Sequence, residues 1–193
     1  MCAMDNIILE RLDSFKNDLT LMTVRAIIRK HIVFGECFAL NNDRHYDLRE
    51  KVATHFSLHP NEVLLVGSGK LGFSIAPKKR YQAFNDSSDI DIVLISSSLF
   101  DNIWMQVFNY KSDVGYWENE QKFKEYLFKG WIRPDMLPPS RNFDLCKDWW
   151  EFFENLSKSD DYSRFKIRAG LYKSFHFLES YQSICVSSCQ NES

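Results

Sequence analysis

The sequence predicts an α+β fold, a small mixed sheet preceded by helices and followed by a mainly helical, aromatic-rich C-terminal part. Three observations predict it. Two short runs rich in strand formers, residues 62–66 and 89–95, are bounded by small or polar residues. On both sides of them apolar residues recur at threes and fours, the helical spacing. The chain has 193 residues, 45% hydrophobic and 26% charged, enough for one ordinary core with a helical appendage.

Taken in order, residues 5–33 read as one long helix, with Ile8, Leu12, Phe15, Leu19, Met22 and Ala26 on a stripe between charges. Gly35 ends it, and residues 34–40 form an apolar connector. A second helix is expected over 43–56, where Leu48, Val52 and Phe56 share a face and acids come early. His59-Pro60-Asn61 breaks the chain before the strand at 62–66, which stops at Gly67. Residues 67–88 read as loop, with Gly67, Gly69, Gly72, Pro77 and the triplet Lys78-Lys79-Arg80. The second strand, 89–95, is closed by three serines, one of which caps a helix over 99–109. Further helices are expected over 117–128 and 148–156, with a break at 133–139 between them. Residues 165–182 run from strand into helix, and the polar tail from Ser187 is expected to fray. The expected division is 1–58 as N-terminal helices, 59–137 as the core and 138–193 as the C-terminal part, compatible with one continuous domain.

Bulk properties exclude several functions. A formal charge of −2, from 24 basic and 26 acidic residues, argues against holding long nucleic acid through its phosphates. The five cysteines form no CxxC pair and stand near no ordered set of histidines, so free thiols in a reducing cytoplasm are expected and a zinc site is not. The start is charged too early for a signal peptide, and no apolar run is long enough to span a membrane. The aromatics, 15% of the chain, are weighted after residue 100 and read first as core, second as a face for a protein partner.

The loop Gly67-Ser68-Gly69-Lys70-Leu71-Gly72 follows a strand, where small residues let backbone N–H groups approach a phosphate. A Walker A loop fails, because Leu64 stands where its first glycine belongs and Leu71 where it needs Ser or Thr. A dinucleotide fingerprint matches the letters GxGxxG, but Pro77 cuts off the required helix and the acids precede the next apolar run instead of ending it. The third reading joins the loop to Asp89 and Asp91. Two apart on a strand, they project from one face while Ile90 and Ile92 project from the other. Paired carboxylates repel unless cations lie between them, and Mg2+ takes oxygen ligands that it shares with substrate phosphates. Two such ions, roughly 3.5–4 Å apart, steady the attacking and leaving oxygens of an in-line displacement.

The order VGSGKLGFS then NDSSDIDIVLIS resembles the hG[GS]…DhD arrangement of the nucleotidyltransferase fold superfamily that includes DNA polymerase beta, and within it the small bacterial nucleotidyltransferase-like proteins. The motifs cover about residues 63–96. The resemblance implies a nucleotidyltransferase-type sheet, phosphate contacts from Gly67, Ser68, Gly69 and Lys70, and divalent metal at Asp89 and Asp91. It also implies transfer of a nucleoside monophosphate from an NTP, ATP foremost, to a hydroxyl on a protein, an RNA end or a nucleotide. A bacterial toxin–antitoxin or phage-defence setting is implied by the family alone. Two departures stand out. The gap from Ser68 to Asp89 is longer than in minimal members and carries Lys78, Lys79 and Arg80. The third carboxylate of active members has no evident counterpart: Asp135 is the choice, ahead of Asp144 and Asp148, while the strand after 165 offers Lys166 and Arg168 where an acid is wanted. A catalytically silent nucleotide-binding regulatory subunit is therefore the alternative.

Overall fold

In the computed structural model, which describes residues 3–139, 141, 143–162 and 165–192, helices flank a four-stranded sheet on both faces. The N-terminal stripe folds as two pieces. Helix α1 (Ala3–Leu21) stops before Thr23, whose hydroxyl accepts from the Ala26 N–H and starts α2 (Val24–Ile27). The expected single helix over 5–33 is thus broken, because Thr23 satisfies a first-turn donor from an extended backbone. From α2 the chain widens into a π-helix, Ile28–Phe34, which buries Ile28 and Ile32. Gly35 follows because a Cβ there would lie 2.8 Å from the His31 carbonyl oxygen.

Helix α3 (Asn42–Phe56) agrees with the expected 43–56 and is capped by the Asn41 side chain. Strand β1 (Val63–Val66) leads without a loop into α4 (Gly67–Leu71), a short helix where loop was expected. Beyond it come a 3-10 turn, Pro77–Lys79, and strand β2 (Ile90–Ile95). The Ser96 hydroxyl caps α5 (Ser97–Asp113) as the serine run suggested, and the helix runs four residues past its expected end at 109. Then follow α6 (Glu120–Phe128), β3 (Trp131–Ile132), a 3-10 turn at Pro134–Met136 and α7 (Asp144–Lys158). Strand β4 (Ile167–Tyr172) precedes α8 (Phe175–Asn191), so the tail expected to fray is helical to Asn191. There Val186 and Cys189 are fully buried, which holds the last turns down.

The strand order is β1-β2-β4-β3, with β2 and β4 parallel and both outer pairs antiparallel. The small mixed sheet is therefore observed, but β3 was not foreseen and β4, from the C-terminal part, lies inside the sheet. Alternation along β2 separates two cores. Ile90, Ile92 and Leu94 pack with α3, α5 and α7 residues such as Leu48, Ile103 and Trp149. Val93 and Ile95 pack on the other side with Phe15, Ile27, Ile32, Tyr172 and Leu178. Each such fully buried side chain contributes about 1.5–3 kcal/mol. Both cores draw on the chain before 59 and after 137, so the expected three segments fold as one body.

Candidate functional site

The β1–β2 register sets the site. Val66 pairs with Asp91, so the residue after Val66 arrives beside the Asp91 carboxylate. That residue is Gly67, at φ +67°, and a Cβ on it would lie 2.9 Å from Asp91 Oδ2. Glycine is needed there twice over, for its backbone conformation and for the close approach. The glycine loop and the acid pair, 22 residues apart from Gly67 to Asp89, do meet.

Asp91 shares its sheet face with Val93 and Ile95, while Ile90 and Ile92 face the other core, as the spacing predicted. Burial and the negative charge of Asp89 push the Asp91 carboxyl up to about 6, against a smaller opposing pull from Arg168. On the parallel neighbour β4, Arg168 pairs with Asp91 in register, and its Nε donates to Asp89 Oδ2 at 3.0 Å. The place beside the acid pair, where a third carboxylate was sought, is occupied by a cation. Alternation along 165–172 was the signal: it put Lys166 and Arg168 on the strand, and only the register showed which of them reaches the acids.

A cavity of about 800 Å³ opens here, around the end of β1, Asp91, β4 and the segment after β3. Gly67, Asp91, Arg133, Asp135, Lys166 and Arg168 are among the residues that line it. Asp135 therefore does reach the cavity of Asp91, but it is engaged: Arg133 grips both its oxygens, at 3.1 and 2.8 Å. Trp131, Tyr172, Tyr181 and Gln182 line it too, with the Arg133 guanidinium 5.3 Å from the Trp131 ring centroid. Asp144 starts α7, and Asp148 contacts His55 Nε2 at 3.0 Å; neither lines the cavity.

The remaining loop residues behave differently from one another. Ser68 is half-buried in the first turn of α4 and lies outside the cavity lining. Gly69 and Lys70 are buried, and their carbonyls accept from the Ala39 and Phe38 N–H groups. This strap, residues 35–40, takes up backbone acceptors that a five-residue helix cannot satisfy itself. The Lys70 ammonium donates to the Gly35 carbonyl, and burial pushes its pKa down. Lys70 thus ties the strap to α4 instead of facing the cavity. Arg80 donates to the Ser188 carbonyl and hydroxyl on α8, while Lys78 and Lys79 are exposed. Among the described residues Cys37, Cys146 and Cys185 form no disulfide.

The donor set can be tested against a divalent cation. Among the described residues no three His, Cys, Asp or Glu side chains gather around one point, so a closed all-protein metal site does not fit. A single Mg2+ held by one or two carboxylates and completed by substrate phosphates does fit. The raised Asp91 carboxyl beside Asp89 marks an excess of negative charge that such an ion would relieve.

Comparison of the chain with protein-family models, curated proteins and solved structures gives no match. What the site can do is decided by its own residues. Among the described residues, no helix is long and apolar enough to cross a membrane.

Proposed function

We propose that the chain binds a nucleoside triphosphate with Mg2+ between Gly67 and the Asp89–Asp91 pair and transfers its nucleoside monophosphate to a hydroxyl. The observation that carries this reading is the approach of Gly67 to the Asp91 carboxylate at the end of β1. That contact joins the two halves of the sequence resemblance at one point. Asp89 and Asp91 would hold the ion, which when bound supplies charge neutralisation at the phosphates and at the leaving pyrophosphate. Arg168 on β4 and Lys166 just before it neutralise further phosphate charge. The acceptor oxygen attacks the α-phosphorus, the bond to pyrophosphate breaks, and in this reading Asp135 takes the hydroxyl proton. Arg133 first has to leave Asp135 for a substrate phosphate.

One observation favours a second reading, nucleotide binding without transfer. Arg168 stands beside the acid pair in place of a third carboxylate and neutralises Asp89. Incubation with labelled NTPs and Mg2+ separates the two. Label transfer or pyrophosphate release that is lost in both Asp89→Ala and Asp91→Ala supports the transferase. Metal-dependent binding without turnover supports the silent module. Absence of any NTP binding sinks both.

A further inference from the structure

Helix α5 carries two stripes of residues spaced three, four and three apart, and the core of the chain uses one of them. Phe100, Ile103, Val107 and Tyr110 are buried with Ile90, Ile92 and Leu94 of β2. One position further on each time stand Asp101, Trp104, Phe108 and Lys111, and all four are exposed. A step of one residue is about 100° round a helix, so this second stripe turns outward from the first. Trp104 is 48% exposed and Phe108 62%, and Met105 beside them is 60% exposed. Large apolar side chains at this spacing on the open side of a helix form a docking seam.

The order of residues along the stripe selects what covers it. Acid, aromatic, aromatic and base follow one another, so the stripe is complementary to itself when turned end for end. About a two-fold axis at Gln106, Trp104 faces Phe108 of a second copy, and Asp101 faces its Lys111. That is the isologous contact of a two-fold dimer. Parallel helices would instead set Asp101 on Asp101 and Lys111 on Lys111. Within the chain Asp101 accepts from Lys173, and Lys111 donates to Glu120, which steadies both charges at the ends of the stripe. The area agrees. At about 150–250 Å² per large side chain, the open parts of Trp104, Met105 and Phe108 leave roughly 350 Å² on each copy. Two copies together bury roughly 700 Å², the apolar share of an interface of about 1,200 Å², at the lower end of the standard size. The buried stripe of α5 packs on the sheet face opposite Asp91, and the residues lining the cavity lie outside α5, so the pairing does not draw on the cavity.

We infer that α5 is the seam of a two-fold dimer of this chain, the two helices antiparallel with Trp104 and Phe108 at the centre. The inference stands apart from the nucleotide reading, which no residue of the seam serves. The test is sedimentation velocity of the full chain over a concentration series through the micromolar range. It compares wild type with Trp104→Glu, Asp101→Lys, Lys111→Asp and the double variant Asp101→Lys/Lys111→Asp, each checked for an unchanged melting transition. Wild type is expected to dimerise reversibly with a Kd on the order of 10 μM, as a small interface allows. Trp104→Glu should weaken the dimer about thirtyfold or more, the effect of losing a central aromatic anchor. Each single charge reversal places like charges opposite one another twice in the dimer and should weaken it about fivefold. The double reversal restores both contacts and should return to within about twofold of wild type. Lost contacts to Lys173 and Glu120 alone would leave the double variant at least as weak as either single one, and that result overturns the antiparallel seam. A dimer indifferent to Trp104→Glu places the interface elsewhere and overturns it as well. A wild type that stays monomeric through the series overturns a second copy as the occupant and leaves the stripe to a different protein.

Discussion

Asp91 is held at a cost, and that cost can be measured. Its carboxyl titrates at about 6 in the fold and near 3.8 when exposed, because burial and Asp89 disfavour its charge. Between those values the folded state binds the extra proton, so folding is progressively penalised as pH rises through the window and fully penalised above about 6. Asp91→Asn removes the penalty, of the order of 3 kcal/mol. The variant is therefore expected to melt at a higher temperature than wild type at pH 7 and at nearly the same temperature at pH 4, while losing nucleotide binding. Equal melting temperatures at pH 7 would show that Asp91 carries no such strain. His45 works in the opposite direction. Burial first, then the positive charges of Lys70 and Arg49, pull its pKa down to about 4 from 6.5. The unfolded chain takes up that proton first, so His45 lowers stability as pH falls from 6.5 towards 4. His45→Gln should flatten the acid side of the stability profile in that interval, read by denaturant titration at pH 7, 5.5 and 4.5.

At the scale of elements, the junction of β1 with α4 determines whether the site forms. Gly67→Ala forces a side chain into φ +67° and against Asp91 Oδ2 at 2.9 Å. The expected loss is about 1–2 kcal/mol from the backbone alone, together with displacement of Asp91, checked by melting temperature and by nucleotide titration. A variant with unchanged stability and binding would mean that the close approach is not formed. This junction was legible in the sequence, because a glycine ending an apolar run and a DxD starting the next fix both ends of one antiparallel pair. Neighbouring elements were less legible. Thr23 looks like one more polar residue on a helical stripe until its hydroxyl is seen capping α2. The helix α4 has no apolar period of its own, and it stands because residues 35–40 satisfy its carbonyls from a distance in sequence. β3 is only two residues long, too short for alternation to announce it, and is defined by its pairing with Leu171 and Tyr172. Arg168 could be read as a strand residue, but its contact with Asp89 depends on β4 joining β2, a pairing across 77 residues from Ile90 to Ile167.

That long-range pairing governs the molecule as a whole. The expected boundary near residue 137 divides the chain at a proline-rich break, yet the segment beyond it supplies α7 to one core, α8 to the other and β4 to the middle of the sheet. Without β4, strand β2 keeps only its β1 partner, and Ile90, Ile92 and Leu94 lose Trp149, Phe153 and Leu171 from their core. Those three large side chains alone represent roughly 5–9 kcal/mol of burial, comparable with the whole stability of a small domain. A fragment of residues 1–137 is therefore expected to lack a cooperative thermal transition and near-ultraviolet dichroism, despite containing Gly67, Asp89, Asp91 and Asp135. Because Arg168 is also beyond the cut, the fragment should hold neither ATP nor tripolyphosphate in Mg2+. Adding a separate 138–193 chain tests whether the defect is packing: recovery of both the transition and the binding is expected if β4 reinserts beside β2. A 1–137 fragment that melts cooperatively on its own would show that the sheet closes without β4, and that the site's cation wall is an accessory to a smaller folding unit.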